Sequence, residues 1–137
     1  MGIESLITSS KILAFAAIVE VGTGLALMLD PVLVVTLLLG TDLSGTRITL
    51  GRCFGFALLA LGLACWPSRK NGWCDFSPTL RAMLIYNLLI ALYLAYLGML
   101  VHLGGVLLWP AVVLHAGVAL LLVWTWRYEQ GARVKNR

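Results

Sequence analysis

The sequence predicts an all-α polytopic membrane protein: a four-transmembrane-helix bundle with a short extra helix after the first span. Three observations predict it. The chain has 137 residues, of which 61% are hydrophobic and 12% charged, and a soluble domain of this size has too much surface to hide that much apolar area. Four apolar stretches approach the ~20 residues needed to cross a hydrocarbon core. Proline, glycine and short polar runs separate them. Four spans use most of the chain, so residues 1–137 read as a single transmembrane domain.

The first span covers residues 8–29, with Ser9 or Ser10 as its cap. Its apolar run is too long for a signal-peptide core, and no small-x-small site follows before Asp30 and Pro31. The start also fails the myristoylation pattern, because position 6 is Leu. Asp30 and Pro31 stop the span and open a new helix, as N-cap and first helical residue. The stretch 31–39 is too short to span and is expected at the outer interface, ending at Gly40.

The second span covers residues 46–66, with Trp66 as an interfacial aromatic and Pro67 as its stop. A polar loop follows, with Asn71 and Gly72 as a turn. The third span covers 78–101, and His102 to Gly105 make a tight outer turn. The fourth covers 106–128, with Trp109 and Pro110 as an alternative start and Trp124, Trp126 and Tyr128 as an inner aromatic belt. The tail 129–137 is basic and expected to fray against anionic lipid.

The net charge of +4 gives orientation, with no nucleic-acid signal. Lys11, Arg69, Lys70, Arg81, Arg127, Arg133, Lys135 and Arg137 fall on one side. By the positive-inside rule that side is cytoplasmic, and both termini with it, in a bacterial-type inner membrane. Cys53, Cys65 and Cys74 include no C-x-x-C pair and read as structural thiols.

Polar side chains within the spans are the candidate functional residues, because charge at that depth costs at least ~2.5 kcal/mol facing lipid. Counted from the cytoplasmic edge, Glu20 lies about 14 Å in, His115 about 16 Å, Asn87 about 9 Å and Arg52 about 21 Å. The simplest bundle points all four inward, with Glu20 level with His115 and Arg52 reaching down its long stem toward Glu20. Tyr86, Tyr93 and Thr23 are candidate pocket-lining residues.

The competing readings are structural. A Glu20–Arg52 ion pair would fix helix register, and Asn87 would glue helices. No catalytic residue, phosphate loop or metal set is found. No cofactor is expected; haem and quinone are the alternatives left open. A bis-histidine haem would need two histidines at one depth, whereas His102 and His115 differ by about 15 Å.

Two resemblances rest on these residues. The acid Glu20 in helix 1, the run Gly51, Arg52, Cys53, Phe54, Gly55 in helix 2 and the LLLG stretch 37–40 resemble the small bacterial four-helix membrane proteins called DoxX-like. That resemblance covers most of the chain. It implies a fold, with a respiratory or redox partner in view.

The stretch 16–23, AAIVEVGT, is similar to the first helix of small multidrug resistance transporters. This implies a proton-coupling role for Glu20. Arg52, His115 and the stretch 31–39 depart from that pattern.

The expected function is binding of a small apolar ligand or a partner subunit through an interior polar cluster, without enzymatic activity of its own. Proton-coupled transport of a small molecule through Glu20 is one alternative. A structural or assembly subunit of a membrane complex is another. The step from Gly51 to Gly55 allows close contact between protomers, so a homo-oligomer is expected.

Overall fold

The fold is taken from a computed structural model. It describes residues 3–67 and 77–135, and the side chains of 10–67 and 78–127. Five helices follow in order: α1 (Ile3–Leu29), α2 (Pro31–Leu39), α3 (Thr46–Ala64), α4 (Ser77–Met99) and α5 (Leu108–Lys135). Among the described residues there is no strand. Four of the helices are long and apolar enough to cross a membrane, with mean hydropathy of 1.4 to 2.2 over their spans. The chain is therefore an all-α, multi-pass membrane protein. The expected turn at Asn71 and Gly72, and Cys74, lie outside the described residues, as does the Tyr128 side chain.

The breaks between helices follow local chemistry. Asp30 caps α2, its carboxylate accepting from the Leu33 amide at 2.9 Å, with Pro31 at the first position. Proline costs nothing there, since its missing N–H would have had no helical partner. Gly40 closes α2 at φ 70°, a left-handed conformation that glycine adopts without a Cβ clash. α1 begins at Ile3, five residues before the expected start. α5 begins at Leu108 and runs past the expected end, through Lys135.

The spans pack as two antiparallel hairpins. α1 lies against α3, α4 lies against α5, and the pairs join chiefly along α1 and α5. The α1–α3 contact is a backbone approach through glycines. A Cβ added at Gly24 would meet the Gly55 carbonyl oxygen at 2.8 Å, and one at Gly55 would meet the Gly24 carbonyl oxygen at 2.7 Å. Helices in lipid associate by such close van der Waals contact, because lipid tails offer no hydrophobic drive.

Apolar packing brackets the middle of the bundle. At one end of the bundle, the inner one on the expected orientation, Leu13, Ala16, Ala17, Cys65, Leu80, Met83, Val118 and Leu122 form one cluster. At the outer end Leu94, Leu97 and Leu108 form another, joined by Leu38 and Leu39 of α2. α2 thus covers the outer end between the hairpins. It is tied there by backbone: the amides of Gly105 and Leu107 donate to the carbonyls of Leu38 (3.2 Å) and Leu37 (2.9 Å). Those carbonyls lie in the last turn of α2, where no helical donor exists.

Candidate functional site

Between the two apolar clusters lies a polar layer. Glu20 projects from the face of α1 that also carries Leu13, Ala16, Ala17, Gly24 and Leu27, all buried. These positions recur at helical spacing, so one face carries them all. Glu20 is itself 1% exposed, and neither carboxylate oxygen has a hydrogen bond of strict geometry among the described residues. Buried polar atoms are nearly always hydrogen-bonded. These two are the only buried side-chain oxygens or nitrogens without a partner among the described residues.

α4 and α5 supply the rest of the layer. Asn87 is 1% exposed and shares its face of α4 with Met83, Ala91 and Leu94, all buried. Its amide nitrogen donates to the Met83 carbonyl, one turn back, at 2.9 Å. Its carbonyl oxygen faces Nδ1 of His115, on α5, at 2.8 Å. Tyr86, next to Asn87 in the chain, sets its ring edge-on to His115, with centroids 6.1 Å apart and planes at 79°. Such T-shaped pairs are favourable at this spacing. The Tyr86 hydroxyl also acts on the Glu20 carboxylate, outside strict hydrogen-bond geometry. Tyr86 therefore bridges the acid of α1 to the amide–imidazole pair of α4 and α5.

Of the expected cluster, Asn87 and His115 meet, Glu20 adjoins them through Tyr86, and Arg52 does not join them. Arg52 is exposed. The cause is the glycine stripe of α3. Gly55 and Gly62 face α1, Gly51 faces Pro31, and Leu58 is buried between them. Arg52 follows Gly51 by one residue, a rotation of about 100°, which turns it off that face.

Level is wrong as well. Gly55 sits against Gly24. From that contact Glu20 lies four residues inward and Arg52 three outward, about 10 Å apart along the axis. The expected Glu20–Arg52 ion pair is not formed.

Tyr93 also departs from the expected lining: it is 59% exposed and stacks on Tyr96, with centroids 6.3 Å apart. Thr23 is half-buried on α1, three residues from Glu20. His102 sits exposed in the outer turn at φ 58°, far along the chain from the layer that holds His115. The glycines expected to serve contact between protomers are used within the chain, Gly51 on Pro31 and Gly55 on Gly24.

Two features escaped sequence reasoning. One is the partner of the Asn87 amide, for which the four-residue spacing to Met83 was the available signal. The other is Cys65, buried in the inner cluster. No group of three His, Cys, Asp or Glu side chains that could hold a metal occurs among the described residues.

Chemically, the layer offers a carboxylate, a phenol and an imidazole, closed off at both ends by apolar packing. No family model, no curated protein and no solved structure matches the chain.

Proposed function

We propose that this is an inner-membrane protein of the DoxX-like kind, with both termini cytoplasmic, that binds a small, largely apolar ligand at the Glu20–Tyr86–Asn87–His115 layer. One observation carries the reading: a carboxylate buried to 1% exposure without a well-formed hydrogen bond among the described residues. A polar layer serving only to fix helix register would gain by satisfying its members. Half-satisfied networks cost stability, and such costs concentrate at sites kept for function. The ligand supplies the partner that the chain withholds. The orientation is supported by Lys11, Arg81 and Arg127, which lie toward the same ends of their helices as the inner cluster.

A second reading has its own support. Because Arg52 stands apart, no fixed cation among the described residues neutralises Glu20, and the acid is free to exchange a proton or a ligand. That arrangement suits proton-coupled transport of a small molecule, in which Glu20→Gln would abolish transport and leave folding intact. A second copy or a partner subunit would sit on the outward face of α3, which carries Arg52 and packs chiefly on α1 from its other side.

Native mass spectrometry of the protein in nanodiscs, with an absorbance spectrum on the same sample, tests the reading. A defined added mass that is lost in Glu20→Gln at unchanged copy number is expected. Equal adducts, or none, in both forms would overturn it in favour of a structural or assembly subunit.

A further inference from the structure

Asn87 has two jobs that its geometry cannot exchange. Its nitrogen is 2.9 Å from the Met83 carbonyl, which can only accept, so the NH₂ must be at that end of the amide. Flipping the amide would set two acceptor oxygens against each other. The carbonyl oxygen is therefore the atom that faces His115 Nδ1 at 2.8 Å, and an oxygen with no hydrogen requires a donor opposite. Nδ1 must carry the hydrogen. In the neutral imidazole the lone pair then lies on Nε2. The helix backbone of α4 thereby dictates, through Asn87, which nitrogen of a side chain on α5 can accept a hydrogen bond. Tyr86, packed edge-on to the ring, holds its plane from the same helix.

We infer that Asn87 is a positioning residue that fixes His115 as the Nδ1–H tautomer, so that Nε2 presents an acceptor and the site selects a ligand bearing a hydrogen-bond donor. This deepens the ligand-binding reading and rests on it for the ligand clause only. An amphiphilic alcohol or phenol has the required chemistry: an apolar body for the bundle and one O–H for the layer. A carboxylate or phosphate would bring a second acceptor and is rejected.

The tautomer is read directly by solid-state ¹⁵N NMR of histidine-labelled protein in lipid bilayers. His102→Asn removes the other histidine and suits the left-handed backbone at that turn. The expected wild-type signal is a protonated Nδ1 and an unprotonated Nε2. Asn87→Leu should mix the tautomers, and so should Asn87→Ala, which removes the same acceptor oxygen. A wild-type Nε2–H signal, or an unchanged signal in Asn87→Leu, would overturn the role of Asn87. The wild-type spectrum alone decides this if the leucine variant fails to fold.

The ligand clause is tested with 4-butylphenol and its methyl ether, which lacks the donor. The phenol should shift the His115 Nε2 resonance at roughly one tenth of the concentration the ether needs, the loss expected for one hydrogen bond. Equal potency, or no shift from either, would overturn the donor requirement and leave the tautomer result standing.

Discussion

Replacing Glu20 by leucine should stabilise the protein. The two side chains are similar in length, and the buried face of α1 that carries Glu20 is otherwise apolar, with Leu13, Ala17 and Leu27 on it. Both carboxylate oxygens are buried without a well-formed hydrogen bond among the described residues, and a buried unsatisfied polar group costs about 1–3 kcal/mol. Removing it should return that amount. The gain is expected toward the lower end, because helices denatured in micelles stay in an apolar setting and find polar partners there.

Unfolding free energy in mixed micelles, measured for the wild type, Glu20→Leu and Glu20→Gln, checks the sign. Glu20→Gln should change little, since its amide leaves polar atoms in the same place. If Glu20 were instead one half of a buried ion pair, Glu20→Leu would cost about 3–5 kcal/mol by stranding the other half. A loss of that size would refute the reasoning, and the opposite sign makes the result easy to read.

Arg52→Leu should leave stability unchanged within about 0.5 kcal/mol, as for other exposed substitutions, by the same micelle assay. Gly55→Ala should cost about 1–3 kcal/mol, because its Cβ would meet backbone atoms of α1, the Gly24 oxygen at 2.7 Å and the Met28 nitrogen at 2.9 Å. Gly22→Ala has open space around its Cβ and serves as the neutral control. Asp30→Ala should lose about 0.5–2 kcal/mol through the α2 cap. Gly105→Ala would drive a methyl into the Leu37 carbonyl and should release α2 from the outer turn. Hydrogen exchange at the Gly105 and Leu107 amides would report that release.

Much of the fold was legible because the bilayer imposes one rule: backbone polar groups must be satisfied within the segment, so long apolar runs are helices. Asp30 and Pro31 announced α2 by cap chemistry alone. The polar layer was legible in part, because rise per residue put Glu20 and His115 at one level and helical spacing put Asn87 on the buried face with Met83 and Ala91. Arg52 was misplaced because its face depends on which side of α3 meets α1. Gly51, Gly55 and Gly62 settle that side, and a glycine stripe reads the same whether its partner is α1 or a second protomer. Tyr93 and Tyr86 look alike in sequence; only the packing of α4 on α5 decides that one touches His115 and the other stacks on Tyr96 at the surface.

An experimental structure of the protein in lipid, resolved well enough to see side chains in the middle of the bundle, would test the central claim most directly. Density is expected for a bound molecule against the Glu20 carboxylate and His115 Nε2, with Asn87 bridging Met83 and His115, and Arg52 outside. A Glu20 carboxylate paired with Arg52, or with both oxygens fully hydrogen-bonded by the chain itself and no bound molecule beside it, would contradict this.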